Sequence, residues 1–375
     1  MHLVRLLISD FKNIAQAQLE FSPGINVLYG DNGEGKTNLL DAIYYLSLCK
    51  SALSIRDREV VRHNAQTFSL FGEYDVNSGL TEKISCSVTP GTEKTFQRNG
   101  KKYEKLSLHV GLLPVVMVSP QDTTLVYGPG EERRKYMNFL LSQTIPDYLL
   151  TVMEYNKLLH QRNRWLKSNG GSQNVLEAID AGLSVRADAI HEHRSRLCRL
   201  LGPQVTKYYN LLSSGKEQVD LRYDSDLNRA PMKELLARSF EKDRVLMYTS
   251  VGIQRDDIYF SLGDHALKSC GSQGQQKTYL LALKLAQFAL IKQMKEVAPI
   301  LLLDDVFDKL DAQRVSRLLH LVVEDGFGQI FLTDSNKVRI EEIIQNLDGS
   351  RKIFRVKDGG FTNEEEAGKS IERHH

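Results

Sequence analysis

Gly30, Gly35, Lys36 and Thr37 stand at the spacing G-x-x-x-x-G-K-[ST] in "YGDNGEGKTN". The apolar run "INVL" precedes the motif, and Leu39, Ala42, Ile43 and Leu46 follow it at helical spacing. Strand, glycine loop, helix is the context this pattern requires. Glycines let consecutive backbone N–H groups turn inward around phosphate oxygens, and the positive end of the following helix adds to the attraction. The loop residues Gly30, Asp31, Asn32, Gly33, Glu34, Gly35, Lys36, Thr37 and Asn38 are therefore read as a nucleoside triphosphate cradle. Lys36 reaches the β- and γ-phosphates and the Thr37 hydroxyl ligates Mg²⁺. The plain alternative is a tight strand-to-helix turn with a capping threonine.

Such a site also needs a carboxylate to hold the metal. "APILLLDDVFDKLD" offers one, because Ile300 to Leu303 form a continuous apolar run that ends in Asp304 and Asp305. A strand buried on both faces reads this way. Asp304 is expected to hold Mg²⁺ and Asp305 to orient or deprotonate the attacking water. A third stretch, "KSCGSQGQQKTYLLALKLAQFALIKQM", sets Ser272, Gln273, Gly274 and Gln275 at the start of a helix apolar on most faces. A serine and a glycine there offer amides to an anion; a simple serine N-cap is the competing reading.

The surrounding elements form three blocks. Residues 1 to about 30 and 68 to 118 alternate like strands. From Glu131 to about Arg199 the text is long, charged and helical, interrupted by "SNGGSQN". Near residue 245 strand-like text returns, followed by the long apolar helix and the strands "PILLLDD" and "QIFLTDS". The expectation is a mixed α/β head built from residues 1–119 and 245–360, a helical insertion over 120–244, and a polar, disordered tail over 361–375. A net charge of +2 gives no bulk drive toward nucleic acid. Four scattered cysteines without a C-x-x-C pair make neither a disulfide framework nor a zinc site, which fits a reducing cytoplasm. No signal peptide is read at the N-terminus, and no apolar stretch approaches the roughly 20 residues a membrane helix needs.

Taken together, "GDNGEGKTN", "SQGQQK", "LLLDDVFDKLD" and "ISDFKNI" resemble the ABC-type ATPase heads of the SMC family. "GIQRDDIYF" and "SPQDTTLVYGPGEERRKYMNFLLSQ" are similar to its RecF branch, bacterial recombination-repair ATPases with a short helical arm. The resemblance implies that "SQGQQ" is the signature motif, which contacts the γ-phosphate held by a second copy, so that ATP draws two chains into a homodimer. It puts Asp308 and Asp311 in the D-loop at that interface. Gln121 becomes a Q-loop residue sensing Mg²⁺ or the γ-phosphate, and Lys12 and Asn13 a basic–Asn pair near the nucleotide.

Two departures stand out. Transporter ATPases usually carry Glu where this chain has Asp305, and a switch histidine where it has Thr333 or Asp334. Both weaken the hold on water, so slow turnover is expected. The same resemblance implies sequence-independent binding of single-stranded and gapped duplex DNA, association with the nucleoid, and partnership with RecR and RecO in loading RecA. Arg133, Arg134, Lys135, Arg162, Arg164, Lys167, Arg196 and Arg199 are the candidate phosphate contacts, with a solvated helix face as the bland alternative. A transporter ATPase subunit and a P-loop small-molecule kinase are the rival readings. The helical insert and missing histidine oppose the first, and "SQGQQ" opposes the second.

Overall fold

A computed structural model describes residues 1–53, 55–77, 79–168, 171–213, 215, 217–307, 312–324, 326–336, 339–340 and 350–364. The chain divides into two compact units, 1–122 with 291–375, and 123–290.

The first unit contains two sheets. One is antiparallel, in the order β2-β1-β4-β5-β6-β7, with β1 (His2–Phe11), β2 (Ile14–Glu20), β4 (Phe68–Asn77), β5 (Leu80–Val88), β6 (Thr95–Arg98) and β7 (Lys101–Lys102). The other has the order β15-β14-β3-β13-β12-β8. Its strands are β3 (Ile25–Tyr29), β8 (Val115–Val118), β12 (Ile300–Leu303), β13 (Ile330–Asp334), β14 (Arg351–Lys357) and β15 (Gly360–Asn363). All of β8, β12 and β13 is buried; the unbroken apolar text of β8 and β12 suits parallel strands covered on both faces, and β13 adds Thr333 and Asp334 at its carboxyl end. Helix α1 (Lys36–Leu48) packs on both sheets, and the short α2 (Asp57–Val60) and α10 (Ala312–Glu324) also belong to this unit.

The helical text becomes α3 (Thr124–Tyr127), α4 (Gly130–Thr144), α5 (Tyr148–Lys167), α6 (Gln173–Ser213) and α7 (Met232–Leu246). A small sheet, β11-β10-β9, lies with them: β9 (Val219–Asp224), β10 (Asp257–Leu262) and β11 (His265–Ala266). The short α8 (Leu267–Cys270) leads to the long α9 (Gln273–Lys295).

Two expected boundaries shift. Residues 245–290 group with the helices rather than with the rest of the head. The reason is that β10 pairs along its length with β9, and Asp256 and Asp257 take the guanidiniums of Arg194 and Arg133 at 2.6 Å each. Residues 361–363, expected in a disordered tail, instead pair with β14 as β15; 365–375 lie outside the described residues.

Candidate nucleotide site

Parallel register brings four segments to one edge of the second sheet. Tyr29 lies opposite Asp334, Thr333 opposite Leu28, Leu303 opposite Leu332, and Leu303 opposite Val118 on its other side. The glycine loop after β3, the threonine of β13, the acids after β12 and the turn after β8 therefore emerge side by side. Carboxyl ends of parallel strands are where open α/β sheets bind ligands.

The loop is shaped by contacts that only glycine permits. A Cβ on Gly30 would meet the Val356 carbonyl oxygen at 2.2 Å, and that oxygen belongs to the neighbouring strand β14. Gly35 has φ 115°, and a Cβ there would stand 2.8 Å from Asn13 Oδ1. Asn13 braces the loop: it donates to Gly33 O at 3.3 Å and accepts from Asn38 Nδ2 at 2.7 Å. On the other side, the turn between β14 and β15 holds Glu34. Gly359 N–H donates to its carbonyl at 2.9 Å and Asp358 N–H to its carboxylate. Lys36 is nearly buried and donates to the carbonyls of Gly30 (2.7 Å) and Asp31 (3.0 Å).

Facing the loop, the Thr37 hydroxyl donates to Asp304, with its oxygen 2.8 and 3.0 Å from the two carboxylate oxygens. Thr333, completely buried, donates to Asp304 Oδ1 at 2.9 Å and accepts the Asp305 N–H at 3.0 Å. Burial raises the Asp304 carboxyl above its ordinary range, and the Thr37 and Thr333 hydroxyls pull it back only in part. Asp305 takes a left-handed backbone, φ 45°, which for a non-glycine residue carries a strain cost. Asp334, the other residue expected at the switch position, is engaged by Asn336 N–H (2.8 Å) and Arg339 (3.2 Å). Gln121 is exposed in the 3₁₀ turn after β8.

Lys12 precedes Asn13 and is paired with α1, the helix that follows the loop. Its ammonium lies 2.6 Å from the buried carboxylate of Asp41 on α1, which also accepts from the Ser51 hydroxyl and Ala52 N–H. Asp308 and Asp311 lie outside the described residues.

Ser272, Gln273, Gly274 and Gln275 belong to the second unit and open α9. Ser272 and Gln275 cap each other: Gln275 N–H donates to Ser272 Oγ at 3.3 Å, and Ser272 N–H to Gln275 Oε1 at 2.6 Å. The serine cap is thus real, and it leaves the Gln273 and Gly274 amides without an intrahelical acceptor.

The basic residues separate by burial. Arg133 is buried, held by Asp257 and by the carbonyls of Leu125 and Gly128. Arg162 is wholly buried between Asp180 and Asp243, with Thr249 as a further acceptor. Neither is available to a surface ligand, contrary to expectation, because a buried guanidinium is kept only where acids pair with it. Arg134 is half-buried on the Asp256 carbonyl, and Lys135 is exposed beside Glu131 and Glu132. Arg164, Lys167, Arg196 and Arg199 are exposed. Among the described residues no helix is long and apolar enough to cross a membrane, and no cluster of three His, Cys, Asp or Glu forms a metal cage.

Residues 2–359 match the RecF/RecN/SMC N-terminal domain model. The chain is 43% identical over 359 residues to the DNA replication and repair protein RecF of Parabacteroides distasonis, spanning 96% of this chain and 98% of that protein. It is 42% identical over 365 residues to that of Bacteroides thetaiotaomicron, spanning 97% and 99%. A solved structure described as the recombination mediator protein RecF-ATP in the RecFOR pathway superposes with TM-score 0.86 at 27% identity, covering 96% of this chain and 97% of that one. The Smc head of Pyrococcus furiosus shares the fold, with TM-score 0.56 at 17% identity and 99% of both chains covered. With its glycine loop, acidic strand end and capped α9 on an SMC-type ATPase head, the chain belongs to the RecF family.

Proposed function

We propose that the chain is an ATP-gated DNA clamp of recombinational repair and replication, in which two copies close on two ATP molecules and slow hydrolysis releases them. The meeting of Thr37, Asp304, Asp305 and Thr333 at one sheet edge beside the glycine loop carries this reading. The glycine-loop amides and Lys36 bind the phosphates. Thr37 and Asp304 present hard oxygen donors, which suit Mg²⁺ held by one carboxylate, a hydroxyl, phosphates and water. Mg²⁺, when bound, neutralises phosphate charge and orients the terminal phosphoryl group; Gln121 is the further oxygen donor on this edge. Asp305 accepts a proton from the attacking water, and Thr333 fixes its backbone. Its carboxylate is one methylene shorter than the usual glutamate, which puts turnover at the slow end of ATPases.

Ser272, Gln273, Gly274 and Gln275 of the second copy complete each site, with Asp308 and Asp311 at the interface. Arg134, Lys135, Arg164, Lys167, Arg196 and Arg199 are the phosphate contacts that remain after the buried arginines are removed. DNA stimulates hydrolysis, and the clamp acts in the cytoplasm at single-stranded gaps and junctions, with RecO and RecR, to load RecA. The similarity to the solved RecF-ATP, a recombination mediator in the RecFOR pathway, supports that setting.

Fluorescence anisotropy with a gapped duplex tests the proposal. Binding should need ATP rather than ADP, ignore sequence and fall steeply with salt. Equal affinity with either nucleotide would reject the clamp.

A further inference from the structure

The Gln275 side chain is held from two directions. Its Oε1 accepts the Ser272 N–H, and its Nε2 donates to Glu217 Oε1 at 2.5 Å. Glu217 lies between α6 and β9, and its other carboxylate oxygen accepts the Tyr209 hydroxyl. Tyr209 is fully buried on the last turns of α6. Its ring packs against Tyr279 of α9, with centroids 6.2 Å apart, and the Tyr279 hydroxyl donates to the Asp220 carbonyl at 2.9 Å. The end of the 41-residue α6 and the start of α9 are therefore joined twice, once through the buried rings and once through a single carboxylate.

That carboxylate does more than pack. An amide side chain has two nearly isosteric orientations, and Glu217 admits only the one with Nε2 toward it, since the reverse sets Oε1 against an anion. In that orientation Oε1 faces Ser272 N–H, so the capping box closes and the serine hydroxyl is fixed at the helix start.

We propose that Glu217 is a positioning residue for the signature segment. It locks the Gln275 amide and thereby ties the Ser272 hydroxyl to the end of the long arm helix. The inference rests on the composite-site reading above, since the locked segment matters only if a second copy's nucleotide docks on it. It makes Glu217 and Tyr209 the route by which a ligand that moves α6 alters ATP-driven closure.

Four proteins are compared by sedimentation in Mg-ATP, with labelled-ATP binding measured in parallel: wild type, E217A, E217Q and S272R. Gln at 217 keeps an oxygen for Gln275 Nε2 and an amide for the Tyr209 oxygen. E217A should therefore dimerise at least tenfold more weakly while binding ATP within twofold of wild type, and E217Q should stay within threefold of wild type on both counts. General loosening of the fold would lower both readouts and would not be rescued by Gln. Y209F, which keeps Glu217 in place, should weaken dimerisation in the same direction by a smaller factor, and it supplies the decision if E217A does not fold. Should S272R lose the dimer while E217A and Y209F keep it, the positioning role is wrong and the composite site stands. Should wild type itself stay monomeric, or S272R dimerise normally, the composite site fails and the positioning role with it.

Discussion

Thr333, read together with Asp334 at the place where a transporter ATPase carries its switch histidine, has a hydroxyl engaged on both sides inside the protein. It donates to Asp304 at 2.9 Å and accepts the Asp305 N–H at 3.0 Å, in a residue with no exposed surface. T333V keeps the shape and removes the hydroxyl. A hydrogen bond to a charged group contributes about 1.5–3 kcal/mol, and a half-buried N–H left without an acceptor costs about 1 kcal/mol. The two overlap, so a loss of about 2–4 kcal/mol is expected for the unit that contains β13. Without its anchor, Asp305 leaves its strained conformation, and hydrolysis should fall roughly tenfold, the equivalent of about 1.4 kcal/mol of lost transition-state stabilisation. Nucleotide affinity should change less, because the glycine loop and Lys36 are untouched. T333S is the control, since it retains both hydrogen bonds and deletes only a buried methyl, at about 1 kcal/mol. Urea unfolding followed by circular dichroism reads the stability, and phosphate release under saturating ATP reads the chemistry. If T333V matches T333S in both, the hydroxyl does not hold the two aspartates as described.

Further outcomes follow from the same contacts. Asp304 has a raised carboxyl, so its contribution to stability is full below its ordinary value of 3.8 and is lost as pH rises through the raised one. Thermal melts of the nucleotide-free protein between pH 4 and pH 7 should accordingly show D304N gaining on wild type as pH rises; parallel curves would contradict this. R162A leaves Asp180 and Asp243 unpaired and should cost about 3–5 kcal/mol in denaturant melts, since breaking a buried pair strands a charge. Loss of DNA affinity in a stably folded R162A would return Arg162 to the surface. The exposed pair Arg164 and Lys167 should behave oppositely: the double alanine variant keeps its stability and lowers the magnitude of the salt slope of DNA binding by about 2, roughly one per phosphate contact. An unchanged slope would remove both from the DNA face.

The nucleotide loop was legible because its chemistry is local. Gly30, Gly35, Lys36 and Thr37 lie within eight residues, and the loop's flanks show their periods plainly. The acidic strand end was legible for the same reason, as four consecutive aliphatic residues leave little but a buried strand. What stayed hidden depends on residues far apart in the chain. Arg133 and Asp257 are separated by 124 positions and Arg162 and Asp243 by 81, so charge written into helical text did not reveal which letters face inward. The clamp on Glu34 by Asp358, 324 positions away, left no trace except a glycine after an aspartate near the end of the chain. Strand β9 was missed although Val219, Leu221 and Tyr223 alternate with Asp220, Arg222 and Asp224, because the run is only six residues long and stands between long helices. Without it, nothing bound residues 257–262 to the helical unit rather than to the head.

Ser272→Arg gives the most direct test of two copies gripping each nucleotide. On the composite-site proposal, arginine at the N-cap of α9 would fill the space a partner's γ-phosphate needs, while the glycine loop's own residues are unchanged in sequence. In sedimentation velocity with saturating Mg-ATP, wild type should run as a dimer and the variant as a monomer, while both bind labelled ATP equally. A variant that dimerises as wild type does would show that the signature segment takes no part in closure.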